Sequence, residues 1–159
     1  MAARTTAAFE QKMTAYAEAA RAALAEPDPW RGFCDYVERV CAMQAEDRGF
    51  TTVLTLSFPT AKQFEADRDR SFADFLTLID RAKATGRLRD DFVAEDMVMF
   101  LMANAGVLTA TADAAPETSP RLVAYFLQAC AATAAAPLPE PPAPRRMYRA
   151  MLRFAAPKR

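Results

Sequence analysis

From Met97 to Ala112 the chain runs without one charged residue or proline. This stretch follows Glu95-Asp96 and reads as a helix over about 94–112. At 100° per residue, Met97, Phe100, Leu101, Asn104, Val107 and Leu108 fall on one half of that helix. Val98, Met99, Met102, Ala103, Gly106 and Ala110 fall on the other, and both halves are apolar. A helix that is apolar all round is normally buried on all sides. The stretch is shorter than the roughly 18 uninterrupted apolar residues that a membrane span needs.

A second helix, about 121–135, repeats the problem. Leu122, Phe126 and Ala129 lie on one side of it, and Val123, Leu127 and Cys130 on another. A chain of 159 residues can cover one face of such a helix, but hardly two faces of two helices. Leaving Val98, Met99, Met102, Leu122 and Phe126 in water forgoes on the order of 10 kcal/mol, at roughly 2 kcal/mol per side chain. That is comparable with the whole net stability of a domain, about 5–15 kcal/mol. The second face therefore calls for a partner. The simplest is another copy of the chain, which gives a homodimer with a four-helix interface about a two-fold axis. The plain alternative is a monomer that buries these faces more deeply.

The rest of the chain reads as all-α. Its four glycines and 11 prolines punctuate runs rich in Ala, Leu, Met, Glu, Arg and Phe, with no alternating β-branched pattern. A first helix is expected from about Thr6 to Ala25, broken by Glu26-Pro27-Asp28-Pro29. Asp28 then caps a second helix, with Pro29 at its first position. The apolar stripe of that helix is Trp30, Phe33, Cys34, Val37, Val40 and Cys41, and it ends near Arg48-Gly49. Phe50 to Phe58 reads as a short apolar helix closed by Pro59. Thr60 to Thr85 is a long helix with Phe64, Phe72, Phe75, Ile79 and Ala82 on one face, stopped by Gly86. The expected architecture is an antiparallel bundle of about six helices, with one domain over 1–136. Residues 137–159 form a Pro-rich linker and a short basic amphipathic helix.

Several function classes are disfavoured. The chain has no histidine, so a zinc site or a Ser-His-Asp triad cannot be built from it. Cys34, Cys41 and Cys130 form no CxxC pair and read as small buried hydrophobes. Asp90, Asp91, Glu95 and Asp96 cluster at a helix start, where the helix dipole and capping account for them. No metal, cofactor or catalytic site is expected, and the chain is not read as an enzyme. The N-terminus has no apolar signal region, so a cytoplasmic location is expected. The formal net charge is zero, but residues 145–159 hold six basic residues and no acid, which leaves −6 on residues 1–144. A negative body is a poor nucleic-acid surface.

The run Leu78-Ile79-Asp80-Arg81-Ala82-Lys83-Ala84-Thr85-Gly86-Arg87-Leu88-Arg89-Asp90-Asp91-Phe92, followed by Glu95-Asp96, resembles the C-terminal half of TetR/AcrR-type transcriptional regulators. Asp28-Pro29-Trp30-Arg31-Gly32-Phe33 at a helix start, Phe58-Pro59 before the long helix, and the Pro-rich tail ending in a basic helix fit the same pattern. The SbtR-like C-terminal group is the nearest subgroup, and the resemblance covers roughly residues 7–155. It implies a homodimer through the helices at 94–112 and 121–135. It also implies a small, mostly apolar effector held inside the bundle. In such regulators DNA is read by an N-terminal helix-turn-helix. Only MAARTT precedes Ala7 here, so this chain is expected to bind no nucleic acid by itself, and no membrane.

The candidate effector site gathers Cys41, Met43, Gln44, Leu54, Phe58, Phe64, Arg68, Phe72, Phe75, Met97, Phe100, Leu101 and Asn104. Met and aromatic side chains make adaptable apolar cavities, although at helical spacing they equally make plain core. The polar members are more telling, because a buried amide or guanidinium must be hydrogen-bonded or paired. Asn104 meets either an effector or a neighbouring helix or bound water, and Gln44 either an effector or the solvent at a half-exposed helix end. Arg68 meets an effector carboxylate or an acid such as Glu65 or Asp67. The dimer residues are expected to be Val98, Met102, Gly106, Leu122, Phe126 and Ala129. The alternative function is a stand-alone helical dimerisation or interaction protein without a pocket. The basic segment 145–154 is expected to dock on the acidic body of its own or the partner protomer, the rivals being a disordered tail or contact with an anionic surface.

Overall fold

A computed structural model describes residues 2–47, 62–111, 113–133 and 136–155. These residues form six helices and no strand: α1 (Ala2–Ala25), α2 (Pro29–Glu46), α3 (Lys62–Ala84), α4 (Ala94–Thr111), α5 (Thr118–Cys130) and α6 (Pro144–Ala155). The all-α reading holds. The expected helix at Phe50–Phe58 lies outside the described residues. Two boundaries differ from expectation. α1 starts at Ala2 rather than Thr6. α5 covers Thr118–Cys130 rather than 121–135, because Pro120 sits in its first turn, where no intrahelical N–H is needed.

α1, α2 and α3 pack on one another, and α2 also carries α4 and α5. The core runs through their shared faces. Ala20, Ala23, Phe33, Val37, Val40, Leu78 and Ala82 are buried there. Small residues let α1 and α2 approach closely. A Cβ added to Gly32 would lie 2.4 Å from the Ala23 carbonyl oxygen, which is backbone and cannot step aside.

Asp28 starts α2 as expected. Its carboxylate accepts from the N–H groups of Trp30 at 3.0 Å and Arg31 at 3.3 Å. The first of its other partners is Arg87, whose guanidinium lies 3.0 Å from the carboxylate and also covers the Trp30 ring. The backbone hydrogen bond from Arg31 is the main reason that its pKa is lowered.

The segment after α3 is a structural hub. Gly86 adopts φ +73°, which reverses the chain as a left-handed cap. Leu88 and Phe92 are then driven into the core. Between them, the Arg89 N–H donates to the Cys130 carbonyl at 2.9 Å, and the Ala132 N–H donates to the Arg87 carbonyl at 2.8 Å. This short backbone pairing ends α5. The Arg89 guanidinium donates to the Ala129 carbonyl at 3.1 Å and the Ala136 carbonyl at 2.8 Å, and also pairs with Asp91. A carbonyl left open at a helix end is thus met by an arginine. Asp91 in turn accepts from the Leu138 N–H at 2.9 Å. One Arg–Asp pair therefore joins the α3–α4 turn, the end of α5 and the start of the tail.

Two predictions follow from this packing. Gly32→Ala should destabilise the fold by about 1–3 kcal/mol, the usual cost of overpacking, read as a lower urea midpoint. Hydrogen bonding from Arg89 lowers the Asp91 pKa to about 2, from an ordinary 3.8. A depressed carboxylate contributes stability above its unfolded pKa and loses it as the pH falls toward the folded value. The gap in melting temperature between wild type and Asp91→Asn should therefore be full above about pH 4 and shrink toward pH 2.

Candidate functional site

The residues expected to face an effector divide into three sets. Cys41, Met43, Gln44, Phe75, Met97, Phe100, Leu101 and Asn104 are all buried. They come from α2, α3 and α4, and their apolar members belong to one core cluster. Leu54 and Phe58 lie outside the described residues, as do the side chains of Phe64 and Arg68. Phe72 does not fit the expectation. It is 49% exposed, because α3 turns Ser71, Phe75, Leu78, Ile79 and Ala82 inward and leaves Phe72 at the edge of that line.

At the centre is a chain of buried hydrogen bonds across three helices. The Gln44 amide nitrogen donates to the Leu101 carbonyl at 3.1 Å. Asn104 Nδ2 donates to Gln44 Oε1 at 2.9 Å. The Ser119 hydroxyl donates to Asn104 Oδ1 at 2.7 Å. Asn104 is wholly inaccessible, and Gln44 and Ser119 are nearly so. The chain ties α2 to α4 and α4 to α5. The contact between helices expected for Asn104 is present, and Gln44 is buried rather than at a half-exposed helix end, because α4 covers it.

Ser119 is the member that the sequence reading missed. It stands in Thr118-Ser119-Pro120, which reads as a loop. The signal was its register, since Ser119, Val123 and Cys130 share the inward face of α5. Phe126 lies at the edge of that face, half-buried, and its ring stacks on Phe100 at 3.9 Å between centroids and 7° between planes. Phe92 meets the same ring edge-on. Two residues expected at the dimer interface, Leu122 and Phe126, are thus partly packed on the chain's own core.

The other expected interface residues lie at the surface of α4 and α5. Val98 and Met102 are half-buried, and Gly106 and Ala129 are exposed. Met99 is 54% exposed and Tyr125 59%. α6 rests on α4, with Met147 and Met151 half-buried.

Burial pushes the Cys41 and Cys130 thiols up to about 12, and burial with nearby acids raises Cys34 to about 11. Thiols held so high are poor nucleophiles. Burial also raises Tyr16 and Tyr36. The shielded Tyr36 hydroxyl has no hydrogen bond of normal geometry, although the Tyr16 hydroxyl is near enough to interact with it. An open groove of about 320 Å³ lies away from the hydrogen-bond chain, between α1 and α2, and is lined by Ala15, Ala19, Ala22, Glu18, Asp35 and Arg39 among others. Among the described residues, no group of three or more His, Cys, Asp or Glu could hold a metal ion, and no helix is long and apolar enough to cross a membrane.

The chain matches no protein-family model, and it has no significant similarity to a curated protein.

The hydrogen-bond chain generates a test. Asn104→Leu leaves Gln44 Oε1 and the Ser119 hydroxyl buried without their partner, which should cost about 2–4 kcal/mol. The triple variant Gln44→Met, Asn104→Leu, Ser119→Ala removes all three polar groups together and should be more stable than Asn104→Leu alone. Urea melts of the two variants compare these costs.

Proposed function

We propose that this chain is the effector-sensing and dimerisation part of a TetR-like transcriptional repressor. The observation that carries the reading is the outward half of α4. Val98, Met99, Met102, Ala103, Gly106 and Ala110 lie there at or near the surface, with no charge among them. Small residues at 103, 106 and 110 allow a second helix to approach closely. Tyr125 on the neighbouring α5 adds an exposed aromatic ring. A second copy of the chain, joined through α4 and α5, would cover both helices in a four-helix contact.

The effector would enter among Met43, Met97 and Phe100, where it would compete for the amides of Gln44 and Asn104. Those amides hold α2 against α4, a helix of the proposed interface. A ligand that binds one arrangement of these helices better than another would bias how the protomers sit. Reading DNA belongs to a helix-turn-helix head, which is no part of the residues described.

One observation favours a second reading, a helical dimerisation protein with no pocket. Gln44, Asn104 and Ser119 already satisfy one another, so the interior does not require a ligand.

Met99→Arg with Met102→Arg tests the interface without touching the Phe100–Phe126 stack. Light scattering after size exclusion should give two chains for wild type and one for the double variant, with unchanged helical circular dichroism. A variant that keeps the wild-type mass would remove α4 from the interface.

A further inference from the structure

We propose that the outward strip of α6 docks on α3 of a second copy of this chain, apolar on apolar and arginine on aspartate. The proposal rests on the dimeric reading above and adds a second contact to it.

α6 has a sequence that its own chain only half explains. Arg145, Arg149 and Arg153 repeat every four residues and so form one line, with Arg146 beside it. Like charges at this spacing destabilise a helix, and α6 holds no acid to offset them. None of these arginines makes an ion pair among the described residues. A helix of 12 residues is marginal in water unless it is docked. α6 packs on α4 and on no other described helix. Its Met147 and Met151 are half-buried, while Leu152 stays 38% exposed on the side next to the arginine line, where Tyr148 also reaches the surface.

α3 carries the complement. Asp69, Phe72, Leu76 and Asp80 follow one another at helical spacing along a single strip. Phe72 is 49% exposed and Leu76 41%. Asp69 and Asp80 are exposed and make no ion pair among the described residues. Half-buried Lys83 closes the strip at its C-terminal end. Each helix therefore shows an apolar pair four residues apart, Phe72 and Leu76 on one, Tyr148 and Leu152 on the other. Each pair is flanked by charge of the sign opposite to the other's. The arginine line is about 12 Å long and the two aspartates are about 16 Å apart, at 1.5 Å per residue. α6 and α3 do not touch within one chain, so the match is met between two. A two-fold axis makes it reciprocal, α6 of each protomer on α3 of the other. The same complementarity holds for the whole chain, −6 over residues 1–144 and +6 over 145–159.

A charge-exchange experiment tests this on the full chain. The dimer dissociation constant is measured by sedimentation velocity for wild type and three variants. One carries Arg145→Glu, Arg149→Glu and Arg153→Glu. The second carries Asp69→Arg and Asp80→Arg, and the third carries all five changes. Each reversed set should weaken the dimer by about tenfold, and by less in high salt, as expected for a few surface charge pairs. The five-fold variant should return to within about threefold of wild type. Unchanged affinity in either reversed set overturns the proposal, and so do losses that simply add in the combined variant. Binding of wild type, but not of the arginine-reversed variant, to phosphatidylserine vesicles, with the dimer unaffected, also overturns it in favour of a membrane surface. A wild type that is monomeric throughout rejects the dimeric reading itself, together with this contact. A dimer broken by Met99→Arg and Met102→Arg, but indifferent to the charge reversals, rejects the α6–α3 contact alone.

Discussion

Everything in this bundle turns on how α4 satisfies its two sides. Inward, it must bury Asn104 among Met97, Phe100 and Leu101, and a buried amide with no partner costs about 1–3 kcal/mol per unsatisfied group. Gln44 from α2 and Ser119 from α5 remove that cost, and in doing so they fix where α2 and α5 stand against α4. A purely apolar contact would tolerate sliding by part of a turn. Hydrogen bonds of 2.7–3.1 Å do not. Outward, α4 carries one charge, Glu95 in its first turn, and none from Val98 to Thr111, and a second copy is the cover proposed for that stretch.

The turn between α3 and α4 sets the other end of the frame. Leu88 and Phe92 anchor it in the core, Gly86 reverses the chain, and Arg89 reaches the end of α5 and the start of the tail. The charged run at 87–91 is therefore not merely a solvated loop. Its Arg89 is largely covered and its Asp91 partly exposed, and the pair binds backbone groups at the end of α5 and the start of the tail.

Much of this fold could be read from periodicity. The Asp28-Pro29 start of α2, the stop at Gly86 and the inward stripe of α2 depend on local rules, and local rules are written in short stretches. The extent of α5 was harder. Its C-terminal end is imposed by Arg87 and Arg89, more than 40 residues away in sequence, through backbone pairing with Cys130 and Ala132. The candidate site was partly legible for the same reason. Gln44 and Asn104 stood out as amides on apolar faces. Their partner Ser119 did not, because a serine beside a proline reads as a turn. Phe72 was placed inward because a wheel cannot say how far the buried line of a helix extends. The stacking of Phe126 on Phe100 is hidden for the same reason, because the two rings belong to different helices. Each miss concerns a contact between segments, which a wheel for one segment cannot display.

The proposed function requires a dimer that holds a small molecule. A native mass spectrum of the purified full chain asks this directly. The predicted result is the mass of two chains plus a discrete small increment that disappears when the ions are activated. A bare dimer would favour the helical dimerisation protein with no pocket. A bare single chain at micromolar concentration would contradict the account, because the apolar outward stretch of α4 from Val98 to Ala110 would then be stable in water.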